Sequence, residues 1–337
     1  MTIFSEPRDL APAAELLQVP CFTAAVGHSG FRRYTTIVRQ VAGLVRKERV
    51  DAVLSMPFGW HLFVALGSVL GGAGRIVAHV GNHPEPARMA KWRAFRAQVQ
   101  LARPFTRALA CCSDYVRRGT IKEFGVSPRE TATVPNGVKL DQWQVASRRS
   151  DAHRRGTARI LMVGTLEPHK DQDTLIKAMP ILNVRLARSG RAAELMLIGD
   201  GPRHGELTHL LQAQGQSPPA VLIGTRRDIP EILAQADVFA FSTTPREGQG
   251  IALVEAMAAG VPIVASDVGA CREVLADGLC GILVPPNDPG ALAEGIATLL
   301  ENPDTARCYV AAAKHRARAL YSIESAARRY AELLEVV

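Results

Sequence analysis

A chain of 337 residues, 47% hydrophobic and 21% charged, has the length of two ordinary domains and a globular composition, which excludes a disordered or fibrous chain. The net charge of +8 sits in one half: residues 1–150 hold 21 Lys and Arg against 10 Asp and Glu, and the remainder 19 against 22. So basic an N-terminal half is either a solvated Arg-rich surface or a partner for anionic lipid headgroups or a phosphorylated acceptor; nucleic acid is disfavoured because no nucleic-acid-binding motif accompanies the charge.

In chain order, Glu6, Arg8 and Asp9 interrupt any apolar run that a signal peptide would need. Strands are predicted at 20–26, 50–56, 75–80, 107–112 and 131–135, with helices at 31–48, 60–71, 87–102 and 114–124 between them. Residues 52–74 lack Asp, Glu, Lys and Arg over a length that could span a bilayer. Pro57 and glycines 59, 67, 71, 72 and 74 make a strand, a turn and a buried helix the better reading. A polar, charged stretch, QVASRRSDAHRRGTA, then lacks apolar periodicity and is read as the interdomain linker. The rhythm resumes with strands at 159–164, 194–199, 220–224, 237–242, 262–266 and 281–285. Helices are predicted at 171–187, 203–214, 229–236, 250–259 and 289–301, and from 303 to the end. Several strands are unbroken apolar runs, as expected where helices cover both faces of a parallel sheet.

The six cysteines, Cys21, Cys111, Cys112, Cys271, Cys280 and Cys308, form no CxxC pair and no zinc-like cluster with histidine. They read as buried thiols of a reducing compartment, which predicts a cytoplasmic protein.

The chemistry concentrates in REGQGIALVEAMAAGVP, residues 246–262. A strand, a glycine turn and a helix start direct free N–H groups and the positive end of a helix dipole at one spot, an anion pocket. Gly248 and Gly250 allow close backbone approach, and Ile251 opens the helix. Glu247 and Glu255 lie eight residues apart, with Glu255 one turn beyond Ile251, so two carboxylates can flank a ligand and accept from paired sugar hydroxyls. The alternative for the turn alone is a surface loop capped by an acidic residue.

These residues resemble the E-x7-E signature of glycosyltransferase family 4, retaining enzymes of the two-domain GT-B architecture. VPNGVKLDQW (134–143), LMVGTLEPHKDQDTLIKAM (161–179), LMLIGDGP (195–202), VLIGTRRDIPEILAQADVF (221–239) and GILVPPNDPGALAEGI (281–296) fit the family in order. The resemblance covers residues 130–337 and is weak before them. It implies an α/β fold of two Rossmann-like, doubly wound parallel-sheet domains facing a cleft. Residues 1–140 would be the acceptor side and 141–321 the donor side, with a helix at 322–337 packing back on the first. The family's opening strand, glycine turn and helix have no counterpart here, so the N-terminal domain is expected to be incomplete, either because the chain starts inside a longer protein or because the cleft itself is.

Carried over by position, the resemblance implies a nucleotide-sugar donor held by Gly164, Thr165, Lys170, Gly199, Arg226, Glu247, Gly248, Gln249, Gly250, Ile251 and Glu255. Glu255 would accept from the ribose, Glu247 and the backbone of 248–251 would hold the sugar and phosphate, Lys170 would neutralise the diphosphate, and Arg226 would border the base. Thr165 stands where the family often has Arg, which leaves His169 and Lys170 to supply charge, and Gln249 stands where an aromatic is common. From the residues alone, Lys170 and Arg226 could be solvated charges, and Gly199 and Gly201 mere turns. The family's sugar-facing histidine is best matched by His79 in RIVAHVGNHPEP, with His83, His28 and His61 behind it and an inert core histidine as the alternative. The expected reaction is retaining transfer of a hexose from a UDP- or GDP-sugar to a saccharide, lipid-linked or small hydroxyl acceptor. No DxD-type site accompanies the donor motifs, so no metal and no cofactor are expected. The inner face of the cytoplasmic membrane is the expected surface partner. Other readings are a donor-binding module without turnover and, less favoured, a sugar-nucleotide epimerase.

Overall fold

The computed structural model describes residues 2–4, 21–23, 31–88, 91–143, 156–215 and 220–335. Among these the chain forms three wholly parallel sheets. β1 (Thr2–Phe4) pairs with β2 (Cys21–Thr23). β3 (Ala52–Ser55), β4 (Arg75–Val80), β5 (Ala108–Cys111) and β6 (Thr131–Thr133) lie side by side in chain order. The third sheet holds β7 (Thr157–Val163), β8 (Ala192–Ile198), β9 (Ala220–Gly224), β10 (Val238–Phe241), β11 (Ile263–Ser266) and β12 (Ile282–Val284). Its spatial order, β12-β11-β10-β7-β8-β9, is that of a doubly wound nucleotide-binding sheet. The order reverses between β7 and β10, which opens a crevice beyond the carboxyl ends of those two strands.

In the first half, α1 (Phe31–Glu48), α2 (His61–Gly71), α3 (Trp92–Ala102) and α4 (Asp114–Phe124) cross over between the strands. The charge-free stretch 52–74 folds as β3, a short 3-10 turn and α2, and no helix among the described residues is long and apolar enough to cross a membrane. α1 turns Ile37, Val41 and Val45 inward, a spacing of one helical turn, while Arg32, Arg39 and Arg46 face out. Gly67 and Gly71 of α2 let the two helices meet closely, since a Cβ on either would overlap Val41 or Val45. α4 begins cleanly because the Ser113 hydroxyl accepts from the N–H of Val116 at 3.1 Å, and it ends at Gly125 with φ +69°.

The second half carries α5 (Gln172–Ala187), α6 (His204–Gln214), α7 (Ile229–Leu233), α8 (Ile251–Ala259), α9 (Gly269–Val274), α10 (Pro289–Glu301) and α11 (Pro303–Leu320). Its strands β10 and β11 are buried along their whole length, in keeping with their unbroken apolar sequences. The short helix α9 was not expected from sequence. Nor is the chain one helix after residue 303. It breaks at Tyr321 and Ser322, where the Ser322 hydroxyl accepts from Ser325 N at 3.1 Å and starts α12 (Ile323–Leu334).

That break returns the chain to the first half. Val138 N donates to Tyr321 O at 2.9 Å and Ile323 N to Val138 O at 3.0 Å, so the two strands of chain that join the halves run side by side. Gly137 is required there, because a Cβ would overlap the Ser322 carbonyl. α12 then lays Tyr330, Leu333 and Leu334 on Val77, Ala108 and Ala110 of the β3–β6 sheet and on Val134 just beyond β6. Most of the stretch read as a linker, residues 144–155, lies outside the described residues.

Candidate functional site

The crevice at the β7/β10 reversal is built from the loops that follow those strands. After β7, Gly164 N bonds Ile198 O at 3.0 Å and Leu166 N bonds Asp200 O at 3.0 Å, which lays the loop against the turn after β8. Gly199, at φ +139°, and Gly201 sit at that junction: a Cβ on Gly199 would overlap the Gly164 carbonyl, and one on Gly201 would press on the Leu166 backbone. These glycines therefore do more than turn the chain, because they let two loops touch backbone to backbone. Thr165 is exposed, and its carbonyl accepts from Gln172 Nε2 at 2.9 Å.

The loop from β7 continues through His169 and Lys170 and is tied to the loop from β10. Thr243 Oγ1 and Thr244 N both reach His169 O, at 2.8 and 3.0 Å. Across this tie Lys170 Nζ meets Glu247 Oε2 at 2.6 Å and lies 5.2 Å from the centre of the Phe241 ring. Glu247 is 5% exposed. Its other oxygen accepts from Gly248 N and Gly250 N, each at 3.1 Å, and Thr243 Oγ1 stands 3.4 Å from Oε2. Burial pushes this carboxyl upward, but the Lys170 charge and its hydrogen bond outweigh that and hold it below its ordinary value. His169 is pushed down, first by burial and then by the Lys170 charge. Lys170 has three N–H donors, and two are left over from the Glu247 contact.

Two expectations for the glycine turn are thereby corrected. The N–H groups of Gly248 and Gly250 are committed to Glu247 rather than offered outward, because that buried carboxylate needs donors to replace water. Gln249, expected beside the sugar, is buried, and its amide pairs with the backbone of Asn136, accepting from Asn136 N at 2.7 Å and donating to Asn136 O at 3.0 Å. The outward-facing group is the start of α8. Ile251 is 45% exposed, and its N–H has no hydrogen-bond partner among the described residues. Gly250 takes φ +77° to make that sharp entry. Glu255, one turn on, is half-buried with no hydrogen bond among the described residues, and burial pushes its carboxyl up to about 7.

The structure places Arg226 apart from this cluster. It is exposed beyond β9 and paired to Asp228 at 2.5 Å. Asp171, directly after Lys170, is buried in the left-handed region at φ +48°, and burial pushes its carboxyl up.

The first half meets the glycine turn directly. A Cβ on Gly248 would overlap the Gly81 carbonyl at the tip of β4, and Cys112 Sγ lies 3.3 Å from that same oxygen. Ser113 Oγ donates to Gly248 O at 2.6 Å, and Tyr115 Oη to Pro245 O at 2.7 Å. The carboxylate of Glu273, on α9, accepts from Asp114 N and Tyr115 N, both at 2.7 Å, and so occupies the positive end of α4 from the opposite half. Arg316 holds the Glu273 and Val274 carbonyls in turn. None of these partners has a linear signal, since every contact that crosses between the halves joins residues more than a hundred positions apart.

His79, on β4, lies on the first-half side of this junction. It is buried, its Nδ1 stands 2.7 Å from Tyr330 Oη, and burial pushes its ring below the ordinary imidazole value. His83 stacks on Tyr115 with centroids 4.2 Å apart. His61 is buried against Thr106, its ring pushed down to about 4 by burial, and it serves packing. His28 lies outside the described residues.

Residues 145–316 match the family described as Glycosyl transferases group 1, and residues 1–142 match Glycosyltransferase Family 4. The chain is 34% identical over 210 residues to the phosphatidyl-myo-inositol mannosyltransferase of Mycobacterium tuberculosis, a match covering 59% of this chain and 52% of that protein, so it spans about half the length of that relative. It is 29% identical over 284 residues to the GDP-mannose-dependent alpha-(1-6)-phosphatidylinositol monomannoside mannosyltransferase of Mycolicibacterium smegmatis, covering 78% of this chain and 70% of that one. Its fold matches Anabaena Alr3699/HepE, solved in complex with UDP and glucose, with a TM-score of 0.84 at 21% identity over 99% of this chain and 92% of that chain.

Proposed function

The chain belongs to the glycosyl transferases group 1 family, and from that premise we propose that it moves a sugar from a nucleotide-diphosphate donor to a hydroxyl acceptor. The observation that carries this reading is the Lys170–Glu247 pair at the sheet's reversal point, together with a helix N–H at Ile251 that has no partner among the described residues. Breaking a glycosyl phosphate bond leaves negative charge on the diphosphate. The two spare donors of Lys170 and the start of α8 are preorganised to receive that charge in a partly dry crevice. Glu247 keeps the ammonium aimed and the turn closed. The sugar hydroxyls then fall to what the loop leaves open, and the ribose to Glu255.

In this reading transfer retains anomeric configuration, with the acceptor arriving on the face the diphosphate leaves and the phosphate oxygen taking its proton. Lys170 and the helix start supply the charge a divalent ion would otherwise supply, so turnover is expected to survive EDTA. A UDP- or GDP-hexose is the expected donor. The relatives' names include a lipid acceptor, and the basic first half supports an anionic or lipid-linked acceptor at the inner membrane surface. The unpaired thiols of Cys111, Cys112, Cys271, Cys280 and Cys308 are consistent with a reducing cytoplasm.

Calorimetry against a panel of nucleotide sugars, followed by transfer and hydrolysis assays, tests the proposal. Binding and turnover are expected for one donor class. Binding with neither transfer nor hydrolysis would mark a binding module instead, and no binding at all would remove the reading. Co-sedimentation with vesicles tests the surface: retention by anionic but not neutral vesicles is expected, falling as salt rises.

A further inference from the structure

The hydrogen bond between His79 and Tyr330 links residues 251 positions apart and carries a consequence for the ring's protonation. Tyr330 lies on α12 against Val77, Ala108, Ala110 and Val134, where burial pushes its phenol up to about 12, so it keeps its proton at neutral pH. His79 is buried and neutral in the same range, with one N–H and one acceptor nitrogen. Among the described residues the phenol has no second partner. A hydroxyl in apolar surroundings gives its proton to an available acceptor, and its hydrogen-bond partner among the described residues is Nδ1, at 2.7 Å. The hydrogen of the ring then belongs to Nε2. That nitrogen lies on the Gly81 side, 3.1 Å from where a Gly81 Cβ would be, and Gly81 is the residue that meets Gly248.

We propose that Tyr330 is a positioning residue: its hydroxyl donates to Nδ1 of His79, fixes the hydrogen on Nε2, and makes His79 a hydrogen-bond donor at the junction with the glycine turn. As a donor, His79 recognises an oxygen of the transferred sugar or its phosphate and does not serve as a base. This role in turnover rests on the transfer reading above, but the tautomer does not.

The experiment uses the full chain with 15N-labelled histidine. Long-range proton–nitrogen correlation spectra report which ring nitrogen carries hydrogen, and His79→Gln assigns the signal. The wild-type protein is expected to show hydrogen on Nε2 alone, and Tyr330→Phe, which keeps the ring and its apolar contacts, a mixture of both tautomers. Turnover of Tyr330→Phe is expected to fall roughly tenfold in kcat while donor affinity stays within about twofold, and to show no further fall in a His79→Ala background. Hydrogen on Nδ1 in the wild type, an unchanged tautomer in Tyr330→Phe, or equal losses in both backgrounds would overturn the proposal. The spectra need no donor, so they decide the tautomer even if no nucleotide sugar is bound, a result that would sink the transfer reading alone.

Discussion

Lys170 and Glu247 are each buried enough that either charge left alone is costly. Removing one partner of such a pair costs about 3–5 kcal/mol, whereas replacing both with neutral groups of similar volume is far milder. Lys170→Met is therefore expected to lower the unfolding midpoint in denaturant by more than Lys170→Met combined with Glu247→Gln, while both abolish turnover. Equal destabilisation by the single and double variants would show that the two charges act separately. Glu255 yields a pH prediction. Its carboxyl titrates near 7 in the free protein, raised from 4.5, so its protonated form is favoured on folding. That contribution is complete below 4.5 and is lost as pH rises through 7. A ribose donating to this carboxyl favours the ionised form instead. Donor binding just below pH 7 should release a proton and strengthen as pH rises, visible as a dependence of calorimetric heat on buffer ionisation; Glu255→Gln should lose both effects. A nucleotide sugar is the right probe because its diphosphate diester does not titrate there.

The elements were largely legible in the sequence, because the strands of the large sheet are mostly apolar runs, unbroken in β10 and β11, and several helices carry a stop signal, as at Gly125 and Gly260. The glycine turn was legible in position but not in detail. That Gly248 and Gly250 spend their N–H groups on Glu247, and Gln249 its amide on Asn136, follows from how the second half meets the first, which no local pattern encodes. The same holds for α9. Its six residues are too short for a periodic signal, yet they place Glu273 at the start of α4. Glu273→Gln removes the charge that pairs with that helix end, and two charge-assisted hydrogen bonds weaken. We expect small-angle scattering to show a larger radius of gyration for this variant and turnover to fall at least severalfold, with nucleotide affinity little changed because Lys170, the start of α8 and Glu255 all belong to the second half. An unaltered scattering profile would mean that Ser113 and Tyr115 hold the halves without it.

At the scale of the whole molecule, the last helix belongs in space to the first half, although the chain reaches it only after finishing the second. Tyr330, Leu333 and Leu334 each contribute on the order of 1–2 kcal/mol by covering the β3–β6 sheet. A chain ending at Leu320 should expose that sheet face and also free His79, so dye binding to apolar surface should rise and turnover be lost together. Retained turnover in the shortened chain would show that α12 is dispensable for the site. The contact of Gly81 with Gly248 has a further consequence. Where two main chains touch with no side chain between them, the gap across the cleft is set by peptide groups, which have a single fixed thickness. A side chain at Gly248 would act as a shim, so the spacing between the partners of any reaction at this seam is held constant by what that residue lacks.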